Sequence, residues 1–496
     1  MTSRPNILLI LADQHSAKFL GHAGHPDART PHLDRLAREG VRFENAIAQN
    51  PICTPSRVSI ASGQYPHNHG YYGIFGPPPC ALPTIFGHLR HHGYRTAAIG
   101  KVHCPADWIE NDVDLFLDVT PSSVGGNPEY MRHLDERGLA DRYEQGRYRE
   151  QPETDILESC DGRPCDLDYG DSPEGWTVRR SIEFMQQARQ GDKPFFVQVG
   201  LPKPHPLYSP CQQFWDLFDE DRITLPPTAN SALEGKPPHL KASAERWRRG
   251  EWILFEPKTF DAARLRRQRG YLGCIAQVDH AVGELLDWLD EAGLADDTVV
   301  VYTSDHGDFA CEHGQLEKAP GIGSDAVTRV PMLWRWPGRF AAGHVAGELA
   351  ELVDLSATLC ACAGVEALET ADGRDLSRLL EGGHAEVRRV AVTENVWSKS
   401  LRRGPWRLVW YPPEMFPREH PEGFGELYPL GEDPWERTNR YFDPQYARIV
   451  AELKDELLRW TVTTTRPVTV LPMQNFEGEQ AVKGFRNTVN PDGKIH

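Results

Sequence analysis

The chain opens on a short unbroken apolar run, Asn6-Ile-Leu-Leu-Ile-Leu-Ala-Asp13, that closes on a carboxylate. The run has a strand's length, and the absence of polar alternation marks a strand covered on both faces, as in a parallel sheet. Similar runs recur at 95–99, 194–200, 298–303 and 330–334. Between them the pattern shifts to a helical period. Thr30 and Pro31 supply an N-cap and a first-turn proline, Leu33, Leu36 and Ala37 share one face, and Gly40 ends the segment. Further helices are predicted near 84–92, 178–190 and 261–291. Strands alternating with helices predict an α/β fold, a three-layer sandwich with a mainly parallel central sheet, over residues 1–383. After Gly383 the pattern changes to short strands at 389–394 and 406–411 and a helix at 446–460. These predict a smaller C-terminal α+β unit, 384–496, whose polar tail from Thr461 packs across the body or reaches a partner subunit, so that a homo-oligomer is expected. Two stretches, 120–175 and 201–256, lack a clear period; connections this long inside a compact domain read as lids or substrate loops.

Composition narrows the function classes. Hydrophobic residues make up 40% and charged residues 25% of the 496 positions, the balance of a globular protein with a large core. No run approaches the ~18 apolar residues of a membrane span. The apolar stretch 7–12, behind a single arginine, is too short for a secretory h-region, so a cytoplasmic location is expected. A net charge of −17 argues against nucleic acid or an anionic membrane as the partner. It also means that a site for an anionic substrate must carry its own local cations. Ten cysteines are too dilute for a disulfide scaffold, and Cys360 and Cys362 sit in an apolar helical stretch as core.

One cysteine has neighbours that suggest chemistry. In Cys53-Thr54-Pro55-Ser56-Arg57, Pro55 and Ser56 suit the first turn of a helix that Gly63 ends. Cys53 then sits at a helix N-terminus, where amides and dipole favour anions and a thiol pKa is expected to fall. Arg57, one turn on, can pair with whatever Cys53 or its substrate carries. Asp13 and Ser304-Asp305-His306-Gly307 each follow a predicted strand, which puts both at the carboxyl edge of a doubly wound sheet, where ligands bind.

Cys-x-Pro-x-Arg followed by a Ser/Ala-rich helix, Gly63 and Tyr65 resembles the signature of type I, formylglycine-dependent sulfatases of the alkaline phosphatase superfamily. Asn6–Asp13, Thr30-Pro-His-Leu-Asp34, Gly40-Val-Arg-Phe43 and Gly93-Tyr-Arg-Thr96 leading to Gly100-Lys101 are similar to that family's scaffold in the same order. The resemblance implies an alkaline-phosphatase-like fold and a sulfuric ester hydrolase. It implies that a maturation enzyme converts Cys53 to formylglycine, whose hydrate is the nucleophile on a small-molecule or carbohydrate sulfate ester. It also implies one divalent cation on Asp13, Gln14, the modified Cys53, Asp305 and His306, and a catalytic set of Cys53, Arg57, Lys101, His103, His205 and Lys318. Hard oxygen ligands suit Ca²⁺ or Mg²⁺. Gln14 and His306 depart from the commoner acid and asparagine: the neutral Gln14 lowers the site's negative charge, the His306 imidazole is softer than an amide, and together they bring in Mn²⁺ as well. The same two departures keep a phosphonate or phosphate ester hydrolase open as the alternative. A non-catalytic binding protein on the same scaffold is the reading from a different class. His67 and His69 are expected near the substrate, with Lys203 and His313 as neighbours only. Tyr71, Tyr72, Trp108 and His15 are candidates for the leaving-group pocket, where aromatic faces suit sugars, aryl groups or a quaternary ammonium.

Overall fold

The computed structural model describes residues 4–74, 82–105, 107–119, 128–142, 162–251, 259–318 and 322–466. Its centre is the strand read first from the sequence, β1 (Asn6–Asp13), which is buried along nearly its whole length. The strands that share its sheet are β2 (Val41–Ile47), β3 (Arg95–Gly100), β4 (Leu115–Asp118), β5 (Phe195–Pro204), β6 (Thr298–Ser304), β7 (Arg329–Val330), β8 (Met332–Arg335) and β9 (His344–Glu351). Across the sheet they run β4-β3-β5-β1-β6-β8-β2-β7, with β9 on β2. The pairs β4–β3, β3–β5, β5–β1, β1–β6 and β2–β9 are parallel, while β8 and β7 pair antiparallel.

The unbroken apolar run of β1 serves two layers at once. Ile7, Leu9 and Leu11 pack into a cluster with Val58, Ile60, Leu89, Leu355 and Leu359 on one face. Leu8, Ile10 and Ala12 pack with Leu33, Leu36, Val278, Leu285 and Leu286 on the other. Successive side chains of a strand point to opposite faces, so an apolar residue at every position means helices on both sides. The long helix Phe260–Glu291 and α1 (Pro31–Glu39) cover one face, and α2 (Cys53–Ser62) with the helix Asp354–Ala363 covers the other. The sheet therefore presents the carboxyl ends of β1, β3, β5 and β6 along one edge.

The stretch predicted as one strand at 330–334 is two, β7 and β8, with Pro331 between them. Proline has no N–H for the ladder, so pairing breaks there. The 201–256 stretch holds more order than its composition suggests: β5 continues to Pro204, and helices form at Gln212–Trp215 and Pro238–Arg248. Within 120–175 the helix Pro128–Glu136 forms, while 120–127 and 143–161 lie outside the described residues, as do 252–258 and the tail from 467.

A second sheet follows, an antiparallel meander of β10 (Ala391–Glu394), β11 (Lys399–Arg403), β12 (Trp406–Tyr411) and β13 (Phe424–Pro429). Helix Ala447–Thr464 sets Val450, Leu453, Leu457 and Trp460 against Val392, Leu401, Leu408 and Leu427, and Tyr65 and Val353 join the same cluster from the large sheet's helical layer. The spacing of these four residues is that of one helix face.

The two sheets meet through a buried carboxylate. Glu394 accepts from His67 Nδ1 at 2.6 Å and from the Tyr72 hydroxyl at 3.3 Å, and it pairs with Lys399. Burial alone would raise its pKa, but the hydrogen bond from His67 and the Lys399 charge outweigh it and hold the group down at about 2. A folded-state value below the ordinary one means that the ionised group stabilises the fold above about pH 4.5, and that this contribution drains away as the pH falls toward 2. The contribution is on the order of 3 kcal/mol. Thermal melts of Glu394→Gln and wild type should therefore differ most near neutrality and converge only as the pH approaches about 2; a difference that persists unchanged into acid refutes the assignment.

Candidate active site

The site forms where four parallel strands end. Asp13 closes β1, Asp305 and His306 follow β6, Lys101 and His103 follow β3, and His205 follows β5. The turn out of β3 depends on two glycines. A Cβ on Gly100, which has φ +94, would lie 2.0 Å from the Gly200 carbonyl, and one on Gly200 would lie 2.1 Å from the Lys101 carbonyl. Only glycine permits that crossing of β3 and β5, and it places Lys101 beside Asp13. Residues 14 and 103 are both left-handed, with φ +70 and +48, so the chain turns sharply straight after strand ends at two expected site residues.

Helix α2 supplies the rest. Ile52 is its extended N-cap, Gly63 ends it with φ +70, and every residue between is buried. Cys53 thus stands at the first position, Ser56 Oγ donates to the Asp305 carbonyl at 2.6 Å, and Thr54 Oγ1 donates to the His103 carbonyl at 3.1 Å. Arg57 bridges the two acidic strand tips: Nε donates to Asp305 Oδ2 at 2.7 Å, Nη2 to Asp13 Oδ2 at 3.2 Å, and Nη1 to the Lys101 carbonyl at 2.7 Å. Lys101 Nζ lies 2.6 Å from Asp13 Oδ2. These contacts occupy the Oδ2 atoms and leave Asp13 Oδ1 facing Cys53 Sγ at 3.7 Å and His306 Nε2 at 3.9 Å.

The resulting cluster has the donors of a cation site. One ligand atom from each of Asp13, Cys53, Asp305 and His306 lies within 4.8 Å of the others, and all four residues are buried. His306 Nδ1 lies 2.9 Å from the Gly307 carbonyl, an acceptor only, so the proton is on Nδ1 and the Nε2 lone pair points inward, 3.2 Å from Cys53 Sγ. Burial disfavours the Asp13 charge, yet Lys101, His205 and Arg57 outweigh it and hold the carboxyl well below the usual range. Two carboxylate oxygens and an imidazole nitrogen fit a divalent cation of the Ca²⁺, Mg²⁺ or Mn²⁺ kind.

Gln14 bridges this cluster to its cationic side. Its backbone N–H donates to Asp305 Oδ1 at 3.1 Å, and its Oε1 accepts from Lys318 Nζ at 2.7 Å. Lys318 also lies 3.0 Å from His205 Nε2 and 3.2 Å from Glu317 Oε1. His205 Nδ1 meets the Pro206 carbonyl at 2.7 Å and so carries the proton. Burial, Lys101 and Lys318 push the His205 pKa well below its usual value, and burial with Lys101 and Arg57 does the same to His103. Burial works against the Lys318 ammonium, but Cys53, Glu317 and Asp13 outweigh it and raise its pKa. The resting site thus holds neutral imidazoles beside a charged lysine.

The ten residues that the resemblance named as catalytic or cation-binding converge here: Asp13, Gln14, Cys53, Arg57, Lys101, His103, His205, Asp305, His306 and Lys318. One property differs from expectation. The Cys53 thiol is pushed up to about 12, because full burial and the Asp13 charge outweigh the helix N-terminus, Lys318 and Lys101. His15 is not at a substrate surface, since its Nδ1 meets the Tyr302 hydroxyl at 2.6 Å and burial lowers its pKa to about 4. Trp108 donates to the Leu82 carbonyl and packs in the main core with Tyr71. His69 meets Ser59 Oγ at 2.9 Å and His67 meets Glu394, so both are structural. Lys203 donates to the Leu207 carbonyl.

The sequence reading missed Asp308, Tyr208 and Arg267. Tyr208 donates to Asp308 Oδ2 at 2.8 Å, Arg267 pairs with Asp308, and Asp308 and Arg267 have no exposure. The available signal was Arg267 itself, a charge on the face of helix Phe260–Glu291 that carries Ala263, Gly270, Tyr271 and Cys274.

Comparison with known proteins follows the same outline. The family model described as Sulfatase matches residues 5–365. An arylsulfatase of Clostridium perfringens is 26% identical over 472 residues, covering 92% of this chain and 94% of that protein. A choline-sulfatase of Rhizobium meliloti is 27% identical over 462 residues, covering 90% and 84%. In fold, the chain superposes on the phosphonate monoester hydrolase of Agrobacterium radiobacter with a TM-score of 0.74 at 22% identity, covering 93% and 96%.

Proposed function

The chain belongs to the sulfatase family, and from that premise we propose that it hydrolyses a sulfate monoester at Cys53, matured to formylglycine, beside one divalent cation. The observation that carries this is the convergence of Asp13, Cys53, Asp305 and His306 within 4.8 Å, with Arg57 bridging the two carboxylates. Maturation matters because a thiol offers no second hydroxyl from which sulfate could be released. Asp13, Asp305, His306 and residue 53 would hold the cation, and the second lone pair of the Gln14 amide oxygen is available to it; Ca²⁺ suits the oxygens, with Mn²⁺ or Mg²⁺ as alternatives. The cation supplies Lewis acidity, and the hydrated aldehyde supplies one hydroxyl for attack and a second for release of sulfate.

The chain's own residues do the remainder. Arg57 orients both carboxylates and helps to keep Asp13 ionised. Lys101 and Lys318 bring positive charge to the non-bridging ester oxygens, which the acidic chain otherwise lacks. Lys318 holds the proton that the departing alcohol needs, with neutral His205 behind it. His103, whose Nδ1 has no hydrogen-bond partner among the described residues, is placed to take a proton when sulfate is released. The partners are a small-molecule or carbohydrate sulfate ester and a maturation enzyme. No helix among the described residues is long and apolar enough to cross a membrane.

Mass measurement of the tryptic peptide 43–57, alongside turnover of an aryl sulfate, tests the proposal. The aldehyde mass should appear in proportion to activity across preparations, and a fully active preparation carrying only the thiol overturns it. Dialysis against a chelator should abolish turnover, and Ca²⁺, Mn²⁺ or Mg²⁺ should restore it. A second reading, a phosphonate or phosphate ester hydrolase with the same nucleophile, is supported by the likeness of fold to the phosphonate monoester hydrolase of Agrobacterium radiobacter. Parallel kcat/KM values on 4-nitrophenyl sulfate, a phenylphosphonate ester and a phosphate diester rank the two.

A further inference from the structure

Gln14 faces neighbours with opposite demands. Its Nε2 donates to Asp308 Oδ2 at 2.7 Å and lies 3.4 Å from the Tyr208 hydroxyl, while its Oε1 accepts from Lys318 Nζ at 2.7 Å. A carboxylate only accepts and an ammonium only donates. Turning the amide over would set oxygen against oxygen at Asp308 and N–H against N–H at Lys318, so its orientation is fixed from both ends.

Asp308 is held as firmly. Its Oδ2 also accepts from the Tyr208 hydroxyl at 2.8 Å, and its Oδ1 accepts from the Ala310 N–H at 2.7 Å and from Arg267. Arg267 in turn lies over the Tyr208 ring at 4.2 Å and the Tyr271 ring at 4.9 Å, and it donates to the Tyr208 hydroxyl at 2.9 Å. Asp308, Gln14 and Arg267 all have no solvent exposure. The chain of contacts therefore runs without a gap from a buried ion pair, through one amide, to the ammonium that meets His205.

We propose that Asp308 is a positioning residue, which acts through the Gln14 amide to fix Lys318 as the proton donor to the leaving alcohol. The role rests on the ester-hydrolase reading above. The proton passes from Lys318 Nζ to the bridging ester oxygen as the bond to that oxygen breaks, and Lys318 regains it from solvent between turnovers. Asp308 touches neither substrate nor reacting atoms. Its effect is to keep the Lys318 ammonium at one place instead of letting its four-carbon stem range over the site.

Proton donation matters for a poor leaving group and little for a good one, which separates this role from a merely structural one. Asp308→Asn and Gln14→Met, singly and together, are to be assayed at saturating cation on a series of substituted phenyl sulfates. The expected result for Asp308→Asn is a loss of roughly a hundredfold in kcat for phenyl sulfate and within about fivefold for 4-nitrophenyl sulfate; Gln14→Met, whose amide oxygen is also offered to the cation, should lose activity on both, with the larger loss on phenyl sulfate. The double variant should be no worse than Gln14→Met, because both changes cut one path. The cation concentration that half-restores the melting temperature of chelated protein should be unchanged in Asp308→Asn. Equal losses along the series, additive losses in the double variant, or weakened cation affinity in Asp308→Asn each overturn the proposal. If Asp308→Asn does not fold, Tyr208→Phe, which removes a hydrogen bond that holds Asp308, decides by the same selectivity between the two substrates. A wild-type protein that hydrolyses neither sulfate nor phosphonate esters overturns the ester-hydrolase reading itself, whereas an active wild type with unselective variants overturns only the positioning role.

Discussion

Cys53→Ser is expected to lose at least about 10³-fold in steady-state turnover while melting within a few degrees of wild type. The two effects part because the side chain does different things for the fold and for the reaction. Structurally, Cys53 is a small buried group at the first position of α2, 3.2 Å from His306 Nε2 and 3.7 Å from Asp13 Oδ1. A serine hydroxyl is smaller and can donate to either neighbour, so no buried polar atom is stranded and no large cavity opens. Chemically, a serine offers one hydroxyl where a hydrated aldehyde offers two. It can attack, but the ester it forms has no second hydroxyl from which to collapse. The measurement is a pre-steady-state burst with an aryl sulfate, followed by intact mass. About one equivalent of alcohol should be released, with a matching sulfate adduct on residues 43–57 and then little further product. Sustained turnover near the wild-type rate would show that the second hydroxyl is not required and would overturn the formylglycine reading.

Much of this site was legible in the sequence because strand ends are legible. Asp13 and Asp305 terminate unbroken apolar runs, and in a parallel sheet such runs end at one edge, so the two acids could be placed together without knowing the strand order. Cys53 and Arg57 followed from helix start signals and one turn of spacing. Lys101, His205 and Lys318 stand on loops, and no period predicts where a loop side chain points; they were named from the family resemblance. The unread parts have physical causes. Val41–Ile47 and His344–Glu351 alternate weakly because they lie toward the partly exposed end of the sheet. The Cys53 pKa went the other way because helix position is local, whereas burial depends on everything packed over the thiol. Asp308 and Arg267 are 41 residues apart in sequence, and a buried ion pair between a loop and the middle of a helix leaves no pattern in either segment. His15 and Trp108 look the same as pocket residues in one dimension, and only their partners, Tyr302 and the Leu82 carbonyl, show them to be core.

Arg57→Ala should cost the cation-free protein on the order of 3–5 kcal/mol, the usual result of removing one partner from a buried ion pair, and the melting temperature in chelator should fall by several degrees. Arg57 is among the largest fully buried side chains, with Asp13 and Asp305 as its two carboxylate partners and the Lys101 carbonyl as a third acceptor. Without a cation the local charges nearly balance, two carboxylates against Arg57 and Lys101, while Lys318 pairs with Glu317. Taking Arg57 away leaves one negative charge uncompensated between two fully buried carboxylates. A divalent cation placed among Asp13, Asp305 and His306 can make up that deficit, so Ca²⁺ or Mn²⁺ should raise the melting temperature of Arg57→Ala by more than it raises that of wild type. Activity should not follow stability. The cation can neutralise the carboxylates, but it cannot replace the forked contacts that orient them, so kcat should stay at least about a hundredfold down at saturating cation. The paired measurement is decisive in either direction. Equal melting of variant and wild type in chelator would mean that the two carboxylates do not depend on Arg57, and recovery of full activity with added cation would mean that its geometry is dispensable.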